Sequence, residues 1–221
     1  MAAAPPPPDS PDPEAATKGW PNWSKRALLE SALIVFSVFL ALALDSWRED
    51  MQTRRRVDEV RRYFVEEITA NRQQLASPAY GPLHVEAARA WHELAQKPKP
   101  TVADRDTAWA VSPNGLHPFK GRDAVWRSFG SSNLLEHMPS RQVFALAEVY
   151  RSQEELEDHN AALMALLRTI TPDDQSPPFI RSQAIVVRGT LSDITYSEAR
   201  LLRLYDKALA ELANGPPKRQ S

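Results

Sequence analysis

Residues Ala27–Leu44 read ALLESALIVFSVFLALAL, and this stretch decides how the rest of the chain is read. It carries one charge, Glu30, and from Ser31 onward only apolar residues and Ser37. A helix crossing hydrocarbon needs about 20 mostly apolar residues, with a range of about 17–25. The run is at the short end of that range, but its edges fit. Trp23 precedes it and Trp47 follows it, both placed as interfacial anchors. At 1.5 Å per residue they stand about 36 Å apart, enough for a hydrocarbon core and part of each interface. The stretch is therefore expected to be a transmembrane helix over residues 23–47.

Three alternatives compete. A cleaved signal peptide would have a shorter apolar region and a small-residue site. Ala41-Leu42-Ala43 fits such a site loosely, yet Leu44, Asp45, Ser46 and Trp47 follow with no break into a loop. A buried core helix would need more apolar surface around it than the other segments offer. A surface-lying amphipathic helix would need a polar face, and there is none. Glu30 lies about 8 Å from the middle of the run. It either snorkels to the interface or takes part in an intramembrane helix contact, which the small pair Ser37 and Ala41 would support.

The helical signal continues outward from the span. Asp45–Leu75 has no Pro and no Gly, and Val57, Val60, Phe64 and Ile68 follow one another at steps of three, four and four, with Leu75 further on. That spacing predicts a stalk helix over 48–76 with one apolar stripe. The stripe must pack on the chain's own bundle or against a second copy. Acids and bases balance along it, seven of each from Asp45 to Arg72, with Asp50–Arg54 and Asp58–Arg62 spaced for ion pairs. Arg54, Arg55 and Arg56 are candidates for lipid-headgroup contact, against a solvated stalk face as the alternative. Before the span, residues 1–22 hold seven of the chain's 19 prolines and little apolar bulk, so a disordered tail is expected. Its PxxP spacing offers an SH3-like ligand only as a weak alternative.

Residues 78–215 read as helices punctuated by Pro and Gly. Helices are expected over about 83–97, 104–111, 122–129 and from Ser140 to about Thr171. Pro113-Asn114-Gly115 makes a turn, and Leu134–Met138 adds one more. The polar run 151–160 suggests a helix exposed midway or bent. Ala184–Val187 is the one run with strand character, read as helix or extended loop because it has no pairing partner. A last helix is expected over about 192–213, followed by a polar tail at 216–221. The fold class is all-α: an N-terminal transmembrane helix continuing into a long stalk helix, plus an antiparallel helical bundle packing with the stalk.

Composition narrows the chemistry. The 221 residues hold 27 Lys and Arg against 28 Asp and Glu, which argues against a nucleic-acid partner. No cysteine is present, so disulfides and thiolate sites are excluded. Seven glycines are few for a phosphate-cradling loop. His84, His92, His117, His137 and His159 lack metal-ligand spacing, Gly130-Ser131-Ser132 is no nucleophile elbow, and Asp173-Asp174 reads as a solvated turn. No cofactor, metal or enzymatic activity is expected. The lipid bilayer is the expected partner, together with a second copy or another membrane protein.

The string Glu30-x-x-Leu33-Ile34-Val35, then Ala41-Leu42, then Asp45-Ser46-Trp47-Arg48-Glu49, resembles a family of uncharacterised bacterial single-pass membrane proteins. Its pattern is roughly G-E-x-x-L-I-V-x-G, an apolar core, N-N-W-N-E and a basic stalk. Leu29 and Ser37 stand where that family often has Gly. Ala124-Val125-Trp126 to Leu134-Leu135 is similar to its helix–turn–helix, and Tyr150 matches its Tyr-rich turn. The resemblance implies a topology, an anchor in a bacterial inner membrane, and no mechanism. Within about 18 residues of the span, Lys18, Lys25 and Arg26 precede it while Arg48, Arg54, Arg55, Arg56, Arg61 and Arg62 follow it. Three against six favours a cytoplasmic C-terminal domain, although Lys25 and Arg26 abut the span and pull the other way.

Overall fold

The computed structural model describes residues 22–170 and 175–214, with side chains from residue 27 onward. The expected Pro-rich tail, the Trp23 side chain, Pro172, the Asp173-Asp174 turn and the tail at 216–221 lie outside the described residues. Six α-helices are seen: α1 (Asn22–Leu75), α2 (Gly81–Gln96), α3 (Val102–Ala110), α4 (Ala124–Phe129), α5 (Ser140–Thr169) and α6 (Pro177–Ala213). A 3-10 turn covers Asn133–His137. Among the described residues there is no strand, as the all-α reading expects.

The chain divides into two compact units, Met1–Gln52 and Thr53–Ser221. In the first, the described residues form one helical run with no Pro or Gly to interrupt it, and eleven large apolar side chains from Leu28 to Leu44 are each at least half exposed. This helix is long and apolar enough to cross a membrane, and none of its apolar window is buried. Moving those side chains out of water is worth on the order of 15 kcal/mol.

The second unit is a bundle built along α6. Arg141–Glu211 at 3.2 Å, Glu148–Lys207 at 2.8 Å and Glu155–Arg200 at 2.9 Å link α5 to α6, with numbers rising on one helix as they fall on the other. The two helices are therefore antiparallel. Arg72 pairs with Asp206, and His84 lies 2.7 Å from Glu198, so α2 takes over from α1 along the same partner helix. The stalk stripe faces inward: Val57, Val60, Phe64, Ile68 and Leu75 are all buried. Of the two ways to bury that stripe, the chain packs it on its own bundle. The reason is local. Phe64 meets the Trp126 and Tyr150 rings at 6.4 and 6.2 Å, and a second copy would have to displace both.

Several boundaries differ from the sequence reading. The expected break between Arg188 and Ser192 is absent, because α6 runs unbroken through Gly189. Burial explains this. Ala184, Val187, Leu191 and Ile194 form one apolar stripe, and its packing outweighs the cost of about 1 kcal/mol for a glycine inside a helix. The run 151–160 is not an outward or broken stretch. Ser152, Gln153, Leu156 and Asn160 are buried within a continuous α5. Ser140 opens α5 without a side-chain cap. By contrast α3 has a full capping box between Thr101 and Asp104. Lys97 and Thr101 hold the Asp104 carboxyl down at about 2. On the stalk, Asp58 pairs with Arg61 at 2.9 Å instead of Arg62, whose Nε donates to the Asp58 carbonyl. Asp50 and Arg54 form no ion pair among the described residues. The loop from Ser112 turns at Gly115, whose φ of 82° is the left-handed value glycine suits.

Because Phe64 is fully buried between two aromatic rings, Phe64→Ala is expected to lower the unfolding free energy by about 3–5 kcal/mol in urea titrations. A loss under about 1 kcal/mol would show that the stalk stripe is not part of this core.

Candidate functional site

Trp23 aside, the side chains singled out on the first helix are at its surface. Glu30 and Ala41 are exposed, as is Trp47. The Ser37 hydroxyl donates to the Ile34 carbonyl at 2.8 Å, so its hydrogen-bonding need is met within the helix. It is left as a small surface residue, able to let another helix approach but with no free donor to offer it. Arg54, Arg55 and Arg56 are exposed and carry no ion pair among the described residues.

In the bundle, the polar chemistry gathers around one irregular segment, residues 116–123. Leu116, Phe119 and Gly121 of this segment are buried, which brings its backbone inside the fold. A buried peptide group must find a partner or cost free energy comparable to a lost hydrogen bond. Three side chains from two helices supply those partners, and a fourth serves the start of α4. Asn71 of α1 donates to the Arg122 carbonyl and accepts from the Arg122 N–H, both at 2.8 Å. Gln153 of α5 donates to the same carbonyl at 3.4 Å, and Asn160 donates to the Phe119 carbonyl at 3.1 Å. Glu67 of α1 accepts from the Val125 N–H at 3.1 Å. That N–H is one of the unpaired donors at the start of α4, whose N-cap Asp123 makes no side-chain cap. A Cβ at position 121 would fall 1.6 Å from Gln153 Nε2, so a larger residue there would displace the Gln153 amide from the Arg122 carbonyl.

The second oxygen of Glu67 accepts from the Tyr150 hydroxyl at 2.7 Å, and Tyr150 stacks on Trp126 with centroids 5.0 Å apart. Burial, and then the Glu67 carboxylate, push the Tyr150 hydroxyl above its ordinary range. Tyr205 is raised for the same two reasons. A cavity of about 270 Å³ opens beside this group, lined among others by Asp123, Trp126, Gln153, Glu154 and Glu157. Sequence reading missed this cluster, although one signal was present. The apolar stripe skips from Ile68 to Leu75, and Asn71 occupies the gap, fully buried.

His84 and Glu198 form a second buried polar pair, linking α2 to α6. His159 shares a hydrogen bond with Ser197 at 3.0 Å, while His92, His117 and His137 are exposed. Among the described residues no group of three or more His, Asp and Glu side chains stands ready to hold a metal ion.

Asn71→Ala leaves the Arg122 N–H and carbonyl short of partners and is expected to destabilise the bundle by about 2 kcal/mol. Asn71→Asp keeps the acceptor but sets a buried carboxylate against the Arg122 carbonyl and one turn from Glu67, so it should lose at least as much. Equilibrium unfolding followed by Trp fluorescence measures both. The pH dependence has a definite sign. A folded-state tyrosine value raised above the unfolded one contributes stability that is fully present below about pH 10 and is lost as pH rises beyond it. Absorbance at the tyrosinate band should therefore show Tyr150 and Tyr205 ionising only as the bundle unfolds, and Tyr150→Phe with Tyr205→Phe should flatten that alkaline limb. No family model, no curated protein and no solved structure matches the chain.

Proposed function

We propose that this protein is a single-pass, membrane-anchored helical module that joins or positions other proteins at a bacterial inner membrane, its bundle facing the cytoplasm. The observation that carries this reading is the run of eleven exposed apolar side chains from Leu28 to Leu44 on a helix with no polar face. Water is a poor solvent for such a surface, and a bilayer is a good one. The resemblance of Glu30–Glu49 to the anchors of a bacterial single-pass family supports the location. The count of six basic residues after the span against three before it supports the orientation. Exposed Arg54, Arg55 and Arg56 supply charge for anionic headgroups, each worth about 1 kcal/mol near the surface.

A second reading is favoured by the polar cavity beside Tyr150: the bundle senses a small ligand there while the same helix holds it at the membrane. The two readings differ in partner. Crosslinked pull-down of the intact protein from membranes should recover a protein partner or a second copy under the first, and a bundle that responds only to a soluble ligand would favour the second.

The anchor is tested directly. The wild-type chain should stay in the pellet after alkaline carbonate extraction and leave it in detergent. Leu33→Arg with Val38→Arg, at about 2.5–3.5 kcal/mol per charge at the helix centre, should shift it to the soluble fraction. Loss of the N-terminal residues through Ala43, read by intact mass, would instead identify a cleaved signal. A C-terminal reporter active only outside the cytoplasm would reverse the orientation.

A further inference from the structure

A different part of the bundle carries an inference that does not depend on the anchor. At the end of the bundle where α2 gives way to α3 and α6 begins, an open groove of about 770 Å³ is lined by Pro98, Lys99, Pro177, Pro178, Arg181, Ser182, Ile185 and Val186. Ile185 and Val186, adjacent in α6 and both lining the groove, are each about half exposed and with Pro98, Pro177 and Pro178 form an apolar patch. Lys99 and Arg181 are both exposed and neither has an ion-pair partner among the described residues. Among the described residues no acidic side chain lines the groove. The first turn of α6 also holds no acid, and the positive end of that helix dipole lies beside Arg181.

Three properties together define an occupant. The volume is in the range of small-molecule sites, about 300–1,000 Å³. The floor is aliphatic and offers a hydrogen-bonding hydroxyl only at Ser182, which suits a hydrocarbon tail over a sugar or a nucleotide. Two unpaired cations on the rim call for a negative headgroup. We infer that the groove binds a single-chain anionic amphiphile, with a carboxylate or phosphate head held by Lys99 and Arg181 and the aliphatic tail laid over Pro98, Pro178, Ile185 and Val186. A free fatty acid and a lysophospholipid both present this chemistry. An acidic peptide shares the charge, but has no use for an aliphatic floor this short.

The test uses the full chain in nanodiscs of neutral phosphatidylcholine and a fatty acid carrying a photoactivatable diazirine in its tail, with labelled residues mapped by peptide mass. Labelling is expected within residues 177–186. It should be competed by palmitate if the carboxylate head is preferred and by lysophosphatidate if the phosphate head is. Stearylamine, with the same tail and the opposite charge, should not compete. Lys99→Glu with Arg181→Glu should weaken competition at least about tenfold, and Ile185→Glu should abolish the labelling. These side chains are exposed, so unchanged circular dichroism and melting temperature are expected to accompany the loss. Labelling confined to residues 27–44 would overturn the proposal, as would equal competition by stearylamine. Displacement by an acidic peptide and by neither anionic amphiphile would overturn it in favour of a peptide groove. None of these outcomes depends on where the protein resides or whether it recruits a partner.

Discussion

The bundle depends on satisfying a stretch of backbone that has no secondary structure and yet lies inside. Residues 116–123 bury Leu116, Phe119 and Gly121, and Phe119 packs edge-on against Tyr80 with ring centroids 5.8 Å apart. Irregular segments normally stay at the surface because water is their default partner. Here Asn71, Gln153 and Asn160 take the place of water, and Glu67 does the same for the start of α4. Each of these residues is buried among the apolar side chains of its helix. Without them the segment would have to leave, and α4 with its Trp126 would leave with it.

This arrangement gives the α1 residues from Val57 to Leu75 two tasks at once. Their apolar members close one wall of the core, and Glu67 and Asn71, one helical turn apart, fix the position of a neighbouring segment. A purely apolar stripe would bury more area but could slide or pair with a like stripe. The bidentate contact of Asn71 with the Arg122 peptide has one geometry, which is how a buried polar group can specify an arrangement.

Much of the fold was legible in the sequence because helical periodicity is a strong signal over long segments. The α1 stripe, the Gly115 turn and the stop after Ala213 follow from residue spacing and from Pro and Gly placement. What was not legible has a common cause. The last helix was expected to begin near Ser192, whereas the buried stripe from Ala184 to Ile194 carries it back to Pro177, across Gly189. The run Arg151–Asn160 reads as solvent-facing because it is polar, but its inward members serve the 116–123 backbone, a partner about 30–40 residues away in sequence. The apolar helix from Ala27 to Leu44 was the clearest signal of all. The polar cluster was invisible because hydrogen bonds to backbone leave no pattern in side-chain spacing beyond a single gap at Asn71.

The three ion pairs between α5 and α6 have a consequence for register. Each is solvent-exposed and contributes little on its own. Their signs do not repeat, however: α5 presents Arg141, Glu148 and Glu155, and α6 answers with Glu211, Lys207 and Arg200. If α6 slid by two helical turns so that Glu148 met Arg200, Arg141 would come close to Lys207 and Glu155 close to Asp193. The apolar stripes, which recur at nearly the same interval, would tolerate that slip. The charges would not, so a set of contacts almost neutral for stability still discriminates against a misaligned bundle during folding.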